Sequence, residues 1–236
     1  MSVLIAAAAR HRGPSVAAAA GKASFSTSFT GTENPLSESG AWTEGTIMSA
    51  GAGTKTACQK STGGFGTMVS FDGTNFTDSC AALSQTFGPD QEVLCTLGNA
   101  SAPNGLETEI LLRADITSAH IFLYELDCVL SGGGISLVRW DMTVASPNSF
   151  TVLRAHPPNE VNFQDGDQVY GSIVGTLVTC KYKAGAGSLT TLFTYDTASD
   201  TTKYSTGNPG IGFWNETGSS ANQPKLKWKD FLANQL

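Results

Sequence analysis

Charge is scarce in this chain. Only 14% of its 236 residues are Asp, Glu, Lys or Arg, and acids outnumber bases 20 to 14, for a formal charge of −6 and a pI near 5.0. A nucleic-acid-binding domain carries a basic stripe, and a segment held on anionic lipid needs clustered Lys and Arg; the acidic balance argues against both. No run approaches the roughly 18 apolar residues of a membrane span. Cysteines are few and odd in number: Cys58, Cys80, Cys95, Cys128 and Cys180, without CxxC or Cys/His zinc spacing. The three histidines are dispersed. No helix of ordinary length and no internal repeat is evident. Cys95, Cys128 and Cys180 sit in strand-like runs and read as small buried thiols, which suits assembly in a reducing cytoplasm.

What is present is turn chemistry between short β-patterned runs. The 26 glycines and low charge suit many strands with many turns, and a chain of this length buries a sizeable core without staples. Val174-Gly175-Thr176-Leu177 reads as two strands joined by a two-residue turn, with Gly supplying the positive φ of a tight hairpin. Glu92 to Leu97, Glu107 to Ala114, His120 to Leu130, Ile135 to Thr143 and Phe150 to Arg154 are the clearest strands. Phe65 to Phe71 and Cys80 to Phe87 are further candidates, and Lys225 to Leu232 reads as the last strand, returning to the first. Residues 49–66 read as a long loop. Period two places Ile121, Leu123, Glu125, Asp127 and Val129 on one face, against His120, Phe122, Tyr124, Leu126, Cys128 and Leu130. It likewise sets Ile135, Leu137, Arg139 and Asp141 against Ser136, Val138, Trp140 and Met142.

The order from Gln168 to Trp214 is strand, tight hairpin, strand, apolar loop, then Gly210-Ile211-Gly212-Phe213-Trp214. It resembles the C-terminal half of the concanavalin A-like lectin/glucanase superfamily. The opening, with Phe25, Phe29, Pro35-Leu36 and Trp42, is similar to laminin-G-like domains of bacterial and phage proteins. The resemblance covers about Ser24 to Leu232 and implies an all-β fold: a two-sheet antiparallel jelly-roll sandwich over residues 23–236, preceded by an extended N-terminal arm of residues 1–22. Val3 to Ala9 is short, weakly apolar and precedes Arg10 and Arg12, the reverse of a secretory signal. The expected role of this segment is docking on a neighbouring subunit, with Val3, Leu4 and Ile5 as apolar anchors and Arg10 and Arg12 reaching acidic groups.

Glucanases of this superfamily carry Glu-x-Asp-x-x-Glu on one strand, because a retaining glycosidase needs two carboxylates about 5 Å apart. Glu125 and Asp127 match, but Leu130 stands where the second Glu is required, so the pair is expected to be a polar patch on a solvated sheet face. Tyr182-Lys183 resembles part of an alginate-lyase site, yet no Gln-x-His triplet accompanies it. Asp72, Asn75, Asp165 and Asp167 offer hard oxygens for calcium and are equally ordinary turn residues; no cofactor is expected. His156, between Ala155 and Pro157, reads as a loop residue.

For sugar binding the candidates are Tyr124, Arg139, Trp140, Asp141 and Trp214, since aromatic rings stack on pyranose faces and polar groups hold hydroxyls; Trp140 and Trp214 could equally fill the core. The expectation is a non-enzymatic adhesion or structural module of a surface assembly, a bacteriophage virion, assembled in the bacterial cytoplasm as a homo-oligomer. Its partners would be other virion proteins and a glycan, with neither nucleic acid nor a membrane span. The alternative is a secreted glycoside hydrolase or polysaccharide lyase of the same fold.

Overall fold

A computed structural model describes residues 22–48, 55–69, 77–98, 106–130, 133–215 and 226–236. The docking residues Val3, Leu4, Ile5, Arg10 and Arg12 lie outside these, as do Asp72 and Asn75. Strands are numbered in chain order. One sheet holds β1 (Ser24–Thr27), β4 (Cys58–Ser61), β5 (Phe65–Met68), β7 (Gln91–Leu97), β12 (Gln168–Val174), β13 (Leu177–Lys183), β14 (Thr190–Asp196) and β16 (Trp228–Gln235). The other holds β2 (Trp42–Glu44), β3 (Lys55–Thr56), β6 (Thr77–Leu83), β8 (Leu106–Ile116), β9 (His120–Val129), β10 (Gly134–Thr143), β11 (Phe150–Arg154) and β15 (Asn208–Asn215). All pairings are antiparallel except β3 with β6. Among the described residues the only helical segments are two short 3-10 turns, Gly45–Ile47 and Thr197–Ser199, and no helix is long and apolar enough to cross a membrane.

The alternation read from sequence decides which side chains meet between the sheets. Tyr124, Leu126 and Cys128 of β9 and Ile135 and Leu137 of β10 turn inward, where they pack with Val93, Cys95, Val169, Phe213, Trp228 and Phe231. Full burial of each such large apolar side chain contributes roughly 1.5–3 kcal/mol over leaving it in water. All five cysteines are buried free thiols. The expected hairpin forms, with Val174 opposite Leu177 and Gly175 at φ 57°. The chain ends meet as expected: Ser24 faces Asn234 and Thr27 faces Phe231.

Two expectations are corrected. Residues 49–66 are not one long loop, because β3 and β4 run through their described part; Cys58 and Met68 face each other across β4–β5 and both are buried, apolar anchors that the polar neighbours hide in sequence. The second correction concerns Glu125 and Asp127, which are not solvated. Trp42 opens a short strand that pairs with β6.

Two sites fix how the sheets close. Arg113 sits at φ 48° in β8, where the register with β9 shifts between Leu112 and Asp115. Its buried guanidinium donates to the carbonyls of Pro89, Tyr204 and Gly175 at 2.7, 2.8 and 2.8 Å. Across the sandwich, Trp228 Nε1 donates to the carbonyl of Glu109 at 3.2 Å.

Candidate functional site

The face of the second sheet turned away from the first carries two kinds of side chain. One part is an apolar patch of Met48, Leu111, Ile121, Leu123, Val138 and Met142. Beside it opens a cleft of about 250 Å3. Its floor is built from alternate residues of the adjacent strands β8 (Glu107 and Glu109) and β9 (Glu125 and Asp127), with Asp78 of β6 beyond the intervening β15. The register sets Glu109 opposite Asp127, and Asp127 in turn opposite Ser136. Trp140, Val138, Phe150 and Val152 form one wall and Trp214 lies on the other side of the floor. Phe150 faces Trp140 across β10–β11 and is 61% exposed, so the wall presents an aromatic edge to solvent. Gly212 makes the floor possible: a Cβ there would lie 2.0 Å from Glu109 Oε2.

The acids are buried and crowded. Glu109 is 1% exposed, Glu125 4% and Asp127 9%. Trp140 Nε1 donates to Glu125 Oε2 at 2.5 Å. Glu109 lies within hydrogen-bonding reach of Glu125, and Glu107 of Asp127. Two carboxyls at that range share a proton, since both cannot ionise side by side. Burial is the main cause, and neighbouring carboxylates add to it: Glu107 is pushed up to about 11, Glu125 to about 8, Asp127 to about 7, and Glu109 well above the carboxylate range. Burial also raises Asp78, although Lys55 pulls it back. The Lys55 ammonium donates to Asp78 Oδ2 at 2.6 Å and stands 4.3 Å from the centre of the Trp140 ring.

The five residues singled out for sugar binding divide between the two faces. Trp140 and Trp214 line the cleft. Tyr124, Arg139 and Asp141 belong to the opposite side of the sheet, gathered under Tyr204. Arg139 Nε donates to both Asp141 oxygens at 3.1 and 3.0 Å, Tyr204 N to Tyr124 Oη at 3.2 Å, and Tyr204 Oη to Asp141. Asp167 spends its carboxylate on the backbone amides of Gln164 and Gly185, at 2.7 and 2.8 Å, and on the Tyr182 hydroxyl, which is turn chemistry. Among the described residues no three His, Cys, Asp or Glu are arranged to hold a metal ion. Leu130 turns into the core at 6% exposure, so the third position of the glucanase motif faces away from the cleft. Sequence reasoning missed Asp78, Glu107 and Glu109. The signal for two of them was there: Glu107-Thr108-Glu109 on a strand puts both carboxyls on one face, as Glu125-Leu126-Asp127 does.

Two stacked antiparallel sheets with a cleft on one outer face define a concanavalin A-like jelly roll. No protein-family model and no curated protein sequence matches the chain. Solved structures do. A Bacillus licheniformis β-glucanase superposes with a TM-score of 0.51 at 11% identity, over 90% of this chain and 98% of that one. The CBM2 module of the evolved Dit protein of Lactobacillus casei BL23 phage J-1 gives 0.52 at 13%, over 90% and 96%. A pseudo β-1,3-glucanase of Mycobacterium tuberculosis gives 0.51 at 8%, over 90% and 98%. At these identities the likeness is one of fold.

Proposed function

We infer that this chain is a glycan-binding module without hydrolytic activity, and that the cleft on the outer face of the second sheet is its binding site. One observation carries the reading: a cleft with a floor of buried carboxyls and aromatic walls in Trp140, Phe150 and Trp214. Aromatic faces stack on pyranose rings, and acid–carboxylate pairs offer both donors and acceptors to hydroxyls. Against hydrolysis stands the state of the acids. A retaining glycosidase needs an ionised nucleophile about 5 Å from a protonated acid. Here Glu125 and Asp127 are each engaged with a second carboxyl from β8, and Leu130 leaves the motif incomplete.

The setting proposed is a surface assembly, a bacteriophage particle. The fold likeness to the phage J-1 Dit module supports it. Residues 1–22 would dock through Val3, Leu4, Ile5, Arg10 and Arg12 on other virion proteins, and the module would act as a homo-oligomer put together in the bacterial cytoplasm.

A hydrolase is the second reading, favoured by Glu125, whose raised value keeps it protonated at neutral pH as a general acid must be. One pair of assays separates the two. On a panel of soluble polysaccharides, binding without release of reducing ends is expected, and Trp214→Ala should weaken that binding roughly tenfold or more. Cleavage that Glu125→Gln lowers by about 100-fold would establish the hydrolase instead.

A further inference from the structure

The outer face of β10 continues past the end of the cleft. Ser136, Val138 and Trp140 line the cleft, and the same alternation turns the missing side chain of Gly134 outward beside them. Gly134 is an ordinary strand residue paired with Val129, and its φ lies outside the left-handed region. Packing is what requires a glycine there. A Cβ would lie 2.4 Å from Nδ1 and 2.5 Å from Cβ and Cγ of His156. A glycine inside a strand weakens it and marks a close approach; here the approaching group is a half-buried histidine, laid down on the sheet from the loop after β11. That loop is pinned on the far side of His156 as well. Val161 N donates to the Gly133 carbonyl at 3.2 Å, and Ile135 N donates to Glu160 Oε2 at 3.3 Å.

The polar groups at this end are arranged for a ligand. The Pro157 carbonyl can only accept, so His156 Nδ1 donates to it, at 3.2 Å, and in the neutral ring Nε2 is then an acceptor. The His156 amide donates to Ser136 Oγ at 3.4 Å. That bond occupies a lone pair of the hydroxyl and leaves its proton to be given. Among the described residues neither that proton nor Nε2 meets a protein partner. One donor and one acceptor suit a pair of sugar hydroxyls; a carboxylate would need donors only. Between this end and Trp140, the edge strand β11 presents Val152, 50% exposed, and Phe150, 61% exposed. They stand opposite Val138 and Trp140, so Phe150, Val152 and His156 form one row beside the cleft, and exposed apolar surface of this kind marks binding grooves. From Trp140 to Gly134 is six residues of one strand, about 20 Å, which about four pyranose units of roughly 5 Å each would cover.

We propose that the binding surface runs lengthwise along β10 and β11, from Phe150 past the floor of the cleft to an outer subsite made by Ser136 and His156. It takes an internal stretch of an extended, uncharged polysaccharide, four or more units long. At the outer subsite one hydroxyl accepts from Ser136 Oγ, another donates to His156 Nε2, and the imidazole packs on the sugar ring. The proposal rests on the glycan-binding reading above and adds to it a direction, a length and two binding residues.

The test is calorimetric titration of the full chain with cello-, manno- and xylo-oligosaccharides of two, four and six units, all β-1,4-linked and extended, and with laminarihexaose as a coiled chain. For an extended series that binds, affinity should rise from the disaccharide to the tetrasaccharide and level off there. His156→Ala should weaken the tetrasaccharide and hexasaccharide about fivefold, so that the gain over the disaccharide is lost. Gly134→Ala displaces the ring without removing it and should act in the same direction. Should that variant not fold, the imidazole proton signals of His156 in the unaltered chain decide: they should shift with the tetrasaccharide and stay in place with the disaccharide. A hexasaccharide that binds no tighter than its disaccharide, a preference for laminarihexaose, or an affinity that His156→Ala leaves unchanged overturns the inference and leaves the glycan-binding reading standing. Retention of a polysaccharide from the wider panel with none of these oligosaccharides bound does the same. If no oligosaccharide here and no polysaccharide on that panel binds, both fall.

Discussion

The two faces of the second sheet treat charge in opposite ways. On the inward side the two arginines are matched, and Glu44 accepts from the Cys58 amide at 2.8 Å through one of its oxygens. Arg113 reaches three carbonyls. Arg139 binds Asp141, the Thr202 carbonyl and the Thr151 hydroxyl at 3.0–3.3 Å, and Tyr204 closes over them, its ring stacked on Phe122 with centres 5.3 Å apart. On the outward side five acids meet one lysine, and several of their oxygens accept nothing. Satisfied polar networks hold a fold in one arrangement. Buried acceptors left without donors weaken it, and such groups concentrate where a ligand supplies the missing half. The inward knot is therefore architecture, and the outward floor is the candidate site.

That contrast breaks most visibly if a charge is placed on the wrong face. Leu130→Glu restores the glucanase motif on paper but buries an unpaired carboxylate in the core. Loss of about 4 kcal/mol or more of stability is expected in urea denaturation, with no gain of hydrolysis; a stable, active variant would show that Leu130 had been placed on the wrong side. Arg113→Met removes the donor of three carbonyls and should cost about 3 kcal/mol. A loss under about 0.5 kcal/mol would mean the knot is replaceable by water.

The floor responds to pH in the opposite sense from an ion-paired acid. In the unfolded chain these acids release their protons near 4. In the folded chain Asp127 and Glu125 keep them to about 7 and about 8. The folded state holds more protons between those limits, so the stability these groups contribute is complete below about pH 4 and falls as pH rises toward 8. The isolated domain should be more stable at pH 5 than at pH 8, and replacing all four acids (Glu107→Gln, Glu109→Gln, Glu125→Gln and Asp127→Asn) should flatten the difference. Melting curves across that range would contradict the reading if stability rose with pH.

The fold was largely legible because period two is a local signal. The faces of β9 and β10, the Gly175 hairpin and the return of the last strand to the first all followed from alternation and turn residues. The short strands β3 and β4 did not, since their Lys-Thr and Gln-Lys segments carry no alternating apolar pattern; β3 is held by Asp78 and Ser79 of β6, further along the chain, and β4 by the neighbouring β5. The site was half legible. Trp140 and Trp214 are recognisable as aromatics suited to stacking on a sugar, and residue type alone puts Tyr124, Arg139 and Asp141 in the same group. Alternation alone sends Tyr124, Arg139 and Asp141 to the other face, but only the packed sheets show which face is the core. Asp78, Glu107 and Glu109 become a site through cross-strand register, which sequence spacing does not fix.

A smaller effect is expected from the chain terminus. Deleting residues 1–22 should shift the melting temperature of the body by no more than a few degrees while lowering incorporation into the assembly. Undiminished assembly, or a body that no longer folds, would remove the docking role.

The most direct measurement uses the tryptophans as reporters of the two faces. In 15N-labelled protein the indole N–H signals of Trp140 and Trp214 report the cleft. Trp42, whose Nε1 donates to Glu38 at 2.8 Å on the inward side, is the internal control. Titration with an oligosaccharide that binds by calorimetry should move the Trp140 and Trp214 signals in a saturable way while Trp42 stays in place. A sugar that binds by calorimetry yet leaves both cleft indoles unmoved would put the binding site elsewhere on the molecule.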